Sequence, residues 1–210
     1  MIASTRLLSL SQTPITALCL LVALSVVDAR AEDCADRFKA LLVSGNGDEG
    51  SVKIDVTQEI VGGMTSRNYS YQVAPDHWMT EMIEPAGQWT LAYDNVMYSS
   101  IDEGKSWSKV REMDSDANAE ASKKAMRESA ETTTNAACGE EEFEGIAYQT
   151  VEADFVAKLG MEMQNHHKYW VHPETGFIRK AFYHMKAAQF ESKTTQLIEK
   201  APDLQLPTPK

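Results

Sequence analysis

Val52-Lys53-Ile54-Asp55-Val56-Thr57-Gln58-Glu59-Ile60 alternates apolar with polar residues, the period of a strand with one face in a core and the other in water. The period upstream is different. From Cys34, apolar residues recur at Phe38, Leu41 and Leu42, which is helical spacing and makes one face. Glu32 and Asp33 suit the positive end of that helix, and Gly45-Asn46-Gly47 ends it. Downstream the strand period continues through Tyr69, Tyr71 and Val73 to a turn at Pro75-Asp76, then from Trp78 to Ile83. Trp89, Leu91 and Tyr93 make the next strand, and Asp94-Asn95 is a tight connection into Val96-Met97-Tyr98. Short strands with turn chemistry between them indicate an antiparallel meander.

Residues 113–135 interrupt it. Asp114-Ser115-Asp116 is a helix cap, and Ala117 to Ala130 is rich in strong helix formers but offers only alanines and Met126 to a core. A second β run follows from Cys138, read as strands over Phe143–Phe155, Met161–Val171, Phe177–Met185 and Phe190–Ile198. Pro173-Glu174-Thr175-Gly176 is a hairpin turn. Residues 201–210 hold three prolines and no periodicity, which predicts a flexible tail.

Residues 1–31 read as a cleaved signal peptide. Arg6 precedes the uncharged apolar run Ile15 to Val27, and Ala29-Arg30-Ala31 places small residues before a cut at Glu32. The run is short for a membrane span, and Cys19 lies inside it behind a bulky Leu18, unlike a lipid-attachment site. Residues 32–200 are then one domain, exported to the periplasm. Removing Arg6, Asp28 and Arg30 with the leader moves the net charge from −11 to −12, which disfavours nucleic acid. Of the three cysteines only Cys34 and Cys138 remain, and in an oxidising compartment they most simply pair. No second apolar stretch reaches spanning length, so the mature chain is expected to be soluble.

Ser100-Ile101-Asp102-Glu103-Gly104-Lys105-Ser106-Trp107 fits the S-x-D-x-G-x-[ST]-W box of sialidase-like propellers, but a single copy reads as hairpin reinforcement. Met161, Met163, His166 and His167 combine thioether and imidazole, ligands that suit a soft cation such as Cu(I), so a metal carrier is an alternative. Against it, neighbouring residues in a strand point to opposite faces. No G-x-S-x-G, H-E-x-x-H or glycine-rich phosphate loop occurs, which points away from an enzyme, and no cofactor is expected.

Gly145-Ile146-Ala147-Tyr148 before a long strand, Tyr169-Trp170-Val171-His172-Pro173-Glu174-Thr175-Gly176-Phe177-Ile178, and Tyr93-Asp94-Asn95-Val96-Met97-Tyr98 followed by Asp102-x-Gly104-x-x-Trp107 together resemble the periplasmic lipoprotein-carrier superfamily, the LolA/LolB-like half-barrels. The resemblance implies a mainly β, α+β fold: an antiparallel curved sheet forming an incomplete barrel, with an N-terminal helix and a mid-chain lid helix. It implies a non-enzymatic protein whose partner is a lipid, an acyl chain or a lipoprotein. His172 and Ile178 replace the family's usual Asp and Pro, and no carrier arginine is matched. A ligand lining of Ile54, Val56, Tyr71, Trp89, Leu91, Tyr98, Met126 and Phe182 is expected on this basis. A protein-interaction or envelope-sensing module with another envelope protein as partner is the further alternative. Strand alternation alone leaves open which face is concave.

Overall fold

In the computed structural model the backbone is described for residues 22–47, 50–158 and 162–209, and side chains for residues 33–47, 50–157 and 162–209. The chain forms helix α1 (Val22–Ser44), strands β1 (Val52–Ile60), β2 (Thr65–Ala74), β3 (His77–Glu84), β4 (Trp89–Tyr93), β5 (Val96–Ser100) and β6 (Ser108–Glu112), then helix α2 (Ser115–Ala130). Strands β7 (Thr134–Phe143), β8 (Ile146–Lys158), β9 (Glu162–Val171), β10 (Ile178–Ala187) and β11 (Phe190–Lys200) complete it. The leader reading falls partly on residues outside this description and partly on the beginning of α1.

One curved antiparallel sheet runs in the order β6-β5-β4-β3-β2-β1-β11-β10-β9-β8-β7 and is not closed. Every pair of adjacent strands is consecutive in sequence except β1–β11, where Val52 pairs with Lys200 and Ile60 with Ser192, and β6 and β7 are the two edges. That ladder joins the two meanders. This is the α+β incomplete barrel expected from the sequence.

The turns follow local chemistry. Asp94 and Asn95 both have positive φ, the two-residue hairpin their sequence predicts. Glu144-Gly145 forms a second such turn, splitting the stretch read as one strand over Phe143–Phe155 into β7 and β8. The β5–β6 hairpin is closed as the box predicts. Ser100 Oγ donates to Asp102 Oδ1 (2.7 Å), and Ser106 donates from N to Oδ1 (2.9 Å) and from Oγ to Oδ2 (2.6 Å). These bonds, Ser106's first, hold the Asp102 carboxyl well below the ordinary range. Gly104 sits at φ +79 where a Cβ would lie 3.0 Å from the Trp89 ring, so the loop requires glycine.

α2 begins at the predicted cap, with Asp114 accepting from the Ala117 N–H at 2.9 Å. α1 ends at Gly45, and Asn46 ties the following loop to β10 by accepting from Ile178 N (2.6 Å) and donating to its carbonyl (3.2 Å). α1 packs on β7 and β8, α2 packs on β8, and the two helices pack on each other. Phe38 of α1, fully buried, lies between Phe155 and Tyr169 with ring centroids 6.0 and 5.8 Å away. The Cys34–Cys138 disulfide pins α1 to β7 with a Cα separation of 5.7 Å. The core extends from there across β8–β11 to Val52 and Ile198. Residues 201–209 form no further element, but Ala201 N donates to Ser51 O (2.8 Å), and Leu204 and Leu206 are half-buried.

Candidate functional site

Strand register decides which side chains share a face, because directly paired residues in an antiparallel sheet point the same way. On the helix side lie Cys138 of β7, Val151 of β8, Tyr169 of β9 and Ala181 of β10, each paired with the next. Gln196 and Val56 continue the row through β11 and β1. Ile54 and Val56 of the expected lining are therefore on this face, and Met126 of α2 packs against its core.

The other five are not. Tyr71 pairs with Lys53, Met79 with Tyr71, Leu91 with Met79, and Tyr98 with Leu91, all on the opposite side of the sheet. Trp89 shares that side by strand parity, and Phe182, opposite Thr195, does too. The eight residues do not form one wall. Alternation identifies a face within each strand, but the apolar face of β1 is continued on β2 by Asn68, Ser70 and Gln72, while β2's aromatics point away.

Over β1–β5 the helices make little contact apart from the start of α2 at the β4–β5 turn, where Ser115 N donates to Asn95 Oδ1 (3.0 Å). On these strands the helix-side face is a half-open strip: apolar Ile54, Val56 and Ile60, the polar row on β2, then Trp78 and Met82 on β3. Where the strip meets the loop after α1 there is a cavity of about 480 Å³ lined by Val52, Ile54, Ile198, Gln72, Val73 and the 44–47 turn. Its volume falls within the range of small-molecule pockets.

Electrically the helix-side face is quiet. His167 is buried among Phe155, Tyr169 and Tyr183, its Nδ1 3.0 Å from Tyr169 Oη. Burial, then the neighbouring His166, pushes its pKa down to about 3, so it is neutral at physiological pH. Burial also raises the Tyr169 phenol, and Tyr183 is pushed up to about 12. The sequence did not single out this aromatic cluster as a unit. Its members lie on three strands and meet only through register.

The opposite face carries the charges. His166 contacts Asp154 through Nδ1 (2.8 Å) and Glu152 through Nε2 (3.4 Å). Trp170 donates to Glu141 Oε2 (2.9 Å) and stands beneath Lys180, whose Nζ is 4.3 Å from the ring centroid. Three of the four residues of the metal alternative are described, and they lie apart. His166 and His167 point to opposite faces, Met163 packs against the core, and Met161 lies outside the described residues. Among the described residues, no three His, Cys, Asp or Glu side chains form a metal-holding group. None of the helices is long and apolar enough to cross a membrane, among the described residues.

No family model matches the chain, and no curated protein matches it. Solved structures do. A LolA superfamily protein from Nitrosomonas europaea is similar over 85% of this chain and 95% of that one, at 7% identity and TM-score 0.34. An outer membrane lipoprotein-sorting protein domain from Vibrio parahaemolyticus is similar over 85% and 94%, at 9% identity and TM-score 0.34. The Pseudomonas aeruginosa MucA/MucB complex contains a chain similar over 81% of this one and 58% of its own length, at 15% identity and TM-score 0.42.

Proposed function

We propose that this chain is exported by cleavage of residues 1–31 and acts in the periplasm as a non-enzymatic binder of one apolar chain, a lipid or the acyl group of a lipidated partner. The observation that carries this is the half-open, uncharged strip of Ile54, Val56 and Ile60 running into the 480 Å³ cavity between β1, β2 and the end of α1. Each square ångström of apolar surface a ligand hides there contributes about 25 cal/mol. The polar row of Asn68, Ser70 and Gln72 along one side supplies hydrogen-bonding groups for an ester or amide at the chain's head. α2 closes the groove at the β8 end through Met126, Ser129 and Ala130, leaving the β1 end accessible.

Native mass spectrometry of the protein purified from its own envelope tests the reading. The expected result is a mass beginning at Glu32 with a co-purifying lipid, lost in Ile54→Asp. A bare protein mass that also takes up no added fatty acid would overturn it.

A further inference from the structure

The meander places the β1–β2, β3–β4, β5–β6 and β10–β11 hairpins at one end of the sheet. Ile60 pairs with Ser192, Arg67 with Glu84 and Trp89 with Ser100, so all four turns lie along one rim. Eight large apolar side chains are exposed among the described residues. Five of them, Val61, Met64, Ile83, Ile101 and Phe190, sit on this rim; the opposite end holds Val73 and Ile146. Ile101 is 90% exposed at the tip of its hairpin and Met64 58% at the tip of another.

Two of the four turns carry no charge, while on a third Glu84 stands beside Ile83. Val61-Gly62-Gly63-Met64 and Ala187-Ala188-Gln189-Phe190 contain no ionisable residue. At the β5–β6 tip the Asp102 carboxylate is turned into its own loop by Ser100 and Ser106, and Glu103 pairs with Lys105 at 3.6 Å. Large exposed apolar groups flanked by small, uncharged residues mark an interaction surface rather than a solvated edge.

We propose that this rim docks on the surface of a phospholipid bilayer, with the hairpin side chains inserted to the headgroup–acyl boundary. A bilayer accepts separate apolar points brought together along one rim, whereas a protein partner needs a continuous complementary surface, and these residues stand on four separate hairpins. The chain's net charge of −11 repels anionic lipid, so insertion rather than charge attraction drives the contact, and zwitterionic bilayers suffice. The docking does not depend on the groove being filled, so it stands or falls separately from the lipid-binding reading.

Protein purified from its native envelope is sedimented with phosphatidylcholine vesicles and with the same vesicles containing phosphatidylglycerol. The expected result is binding to both, weaker to the second, and a loss of about ten-fold or more in partitioning for Met64→Asp/Ile101→Asp/Phe190→Asp. A control at the opposite end, Ile146→Asp, keeps the wild-type partitioning, and thermal melting checks that both variants are folded. Unchanged partitioning of the triple variant, or pelleting only with the anionic vesicles, overturns the proposal. Self-association abolished by the triple variant, with no vesicle binding, also overturns it and assigns the rim to contact between copies of this chain.

Discussion

The two meanders use the same antiparallel hairpins but are held together in different ways. The half formed by β7–β11 carries both helices, a disulfide and the Phe38–Phe155–Tyr169 stack. Among the described residues no helix packs across the half formed by β2–β6, and α2 only starts beside it at Asn95. There, Met79, Leu91 and Ala92 are buried, and the hairpin at Ser100–Trp107 is braced by local hydrogen bonds. The first half is a two-layer core and the second is close to a single layer. A single layer is stable only because it is continuous with the first through β1. This difference is also what leaves a face of β1–β5 available for something other than the protein's own packing.

The comparison can be tested most forcefully at the disulfide. Cys34 and Cys138 enclose 104 residues of sequence separation, including the whole first meander. Substituting both by alanine should cost about 4 kcal/mol in urea unfolding if chain entropy dominates. Two separated transitions in the variant would mean that the halves fold independently, and would break the picture of one cooperative sheet.

Equivalent truncations sharpen it further. Phe38→Ala removes a fully buried ring under the helices and should cost about 4 kcal/mol, whereas Leu91→Ala, equally buried but in the single layer, should cost about 2. Equal losses would show that the uncovered half is packed as tightly as the covered one.

Acid distinguishes the halves next. His167 has its pKa pushed down to about 3 against an ordinary 6.5, so the unfolded chain takes up a proton first as pH falls. The stability this neutral ring supports is intact above pH 6.5 and is lost progressively towards pH 3. The loss is about 3 kcal/mol at pH 4. His167→Phe should flatten that slope, read from denaturation midpoints across the range. An unchanged slope would assign the acid sensitivity elsewhere.

The smallest effect belongs to Asp102. Its depressed carboxyl contributes stability above pH 3.8 that is lost only as pH falls through its lower folded value. Asp102→Ala should raise amide exchange within residues 100–107 and leave the helix-covered half unchanged. Faster exchange in β8 or β9 would contradict that separation.

Most of the fold was legible because buried faces write a period into the chain. β1, β9, β10 and β11 each have one face in the core, and their alternation or turn residues mark them. β6 and β7 were not read as strands, for one shared reason. Both are sheet edges, β6 is exposed at every position, and β7 is mostly exposed with Glu140-Glu141-Glu142 in its sequence, so no apolar period exists to be read. The turn between β7 and β8 was hidden as well, because Glu144 adopts a left-handed conformation that sequence rules reserve for Asn, Asp or Gly. The site was less legible than the fold. Tyr71 and Ile54 are both good strand residues on neighbouring strands, yet they face opposite sides. Only the pairing of Lys53 with Tyr71 reveals it.

The β1–β11 ladder has a consequence for how the chain reaches this state. Every other strand pair is formed by consecutive strands, whereas Val52 must find Lys200 across nearly the whole domain. Closing that distance carries the largest loop entropy in the molecule, so it belongs late on the folding route, after each meander has collapsed on its own hairpins. Substitutions in this ladder should then speed unfolding while leaving the refolding limb of a chevron unchanged. A slowed refolding limb would instead put the seam in the nucleus.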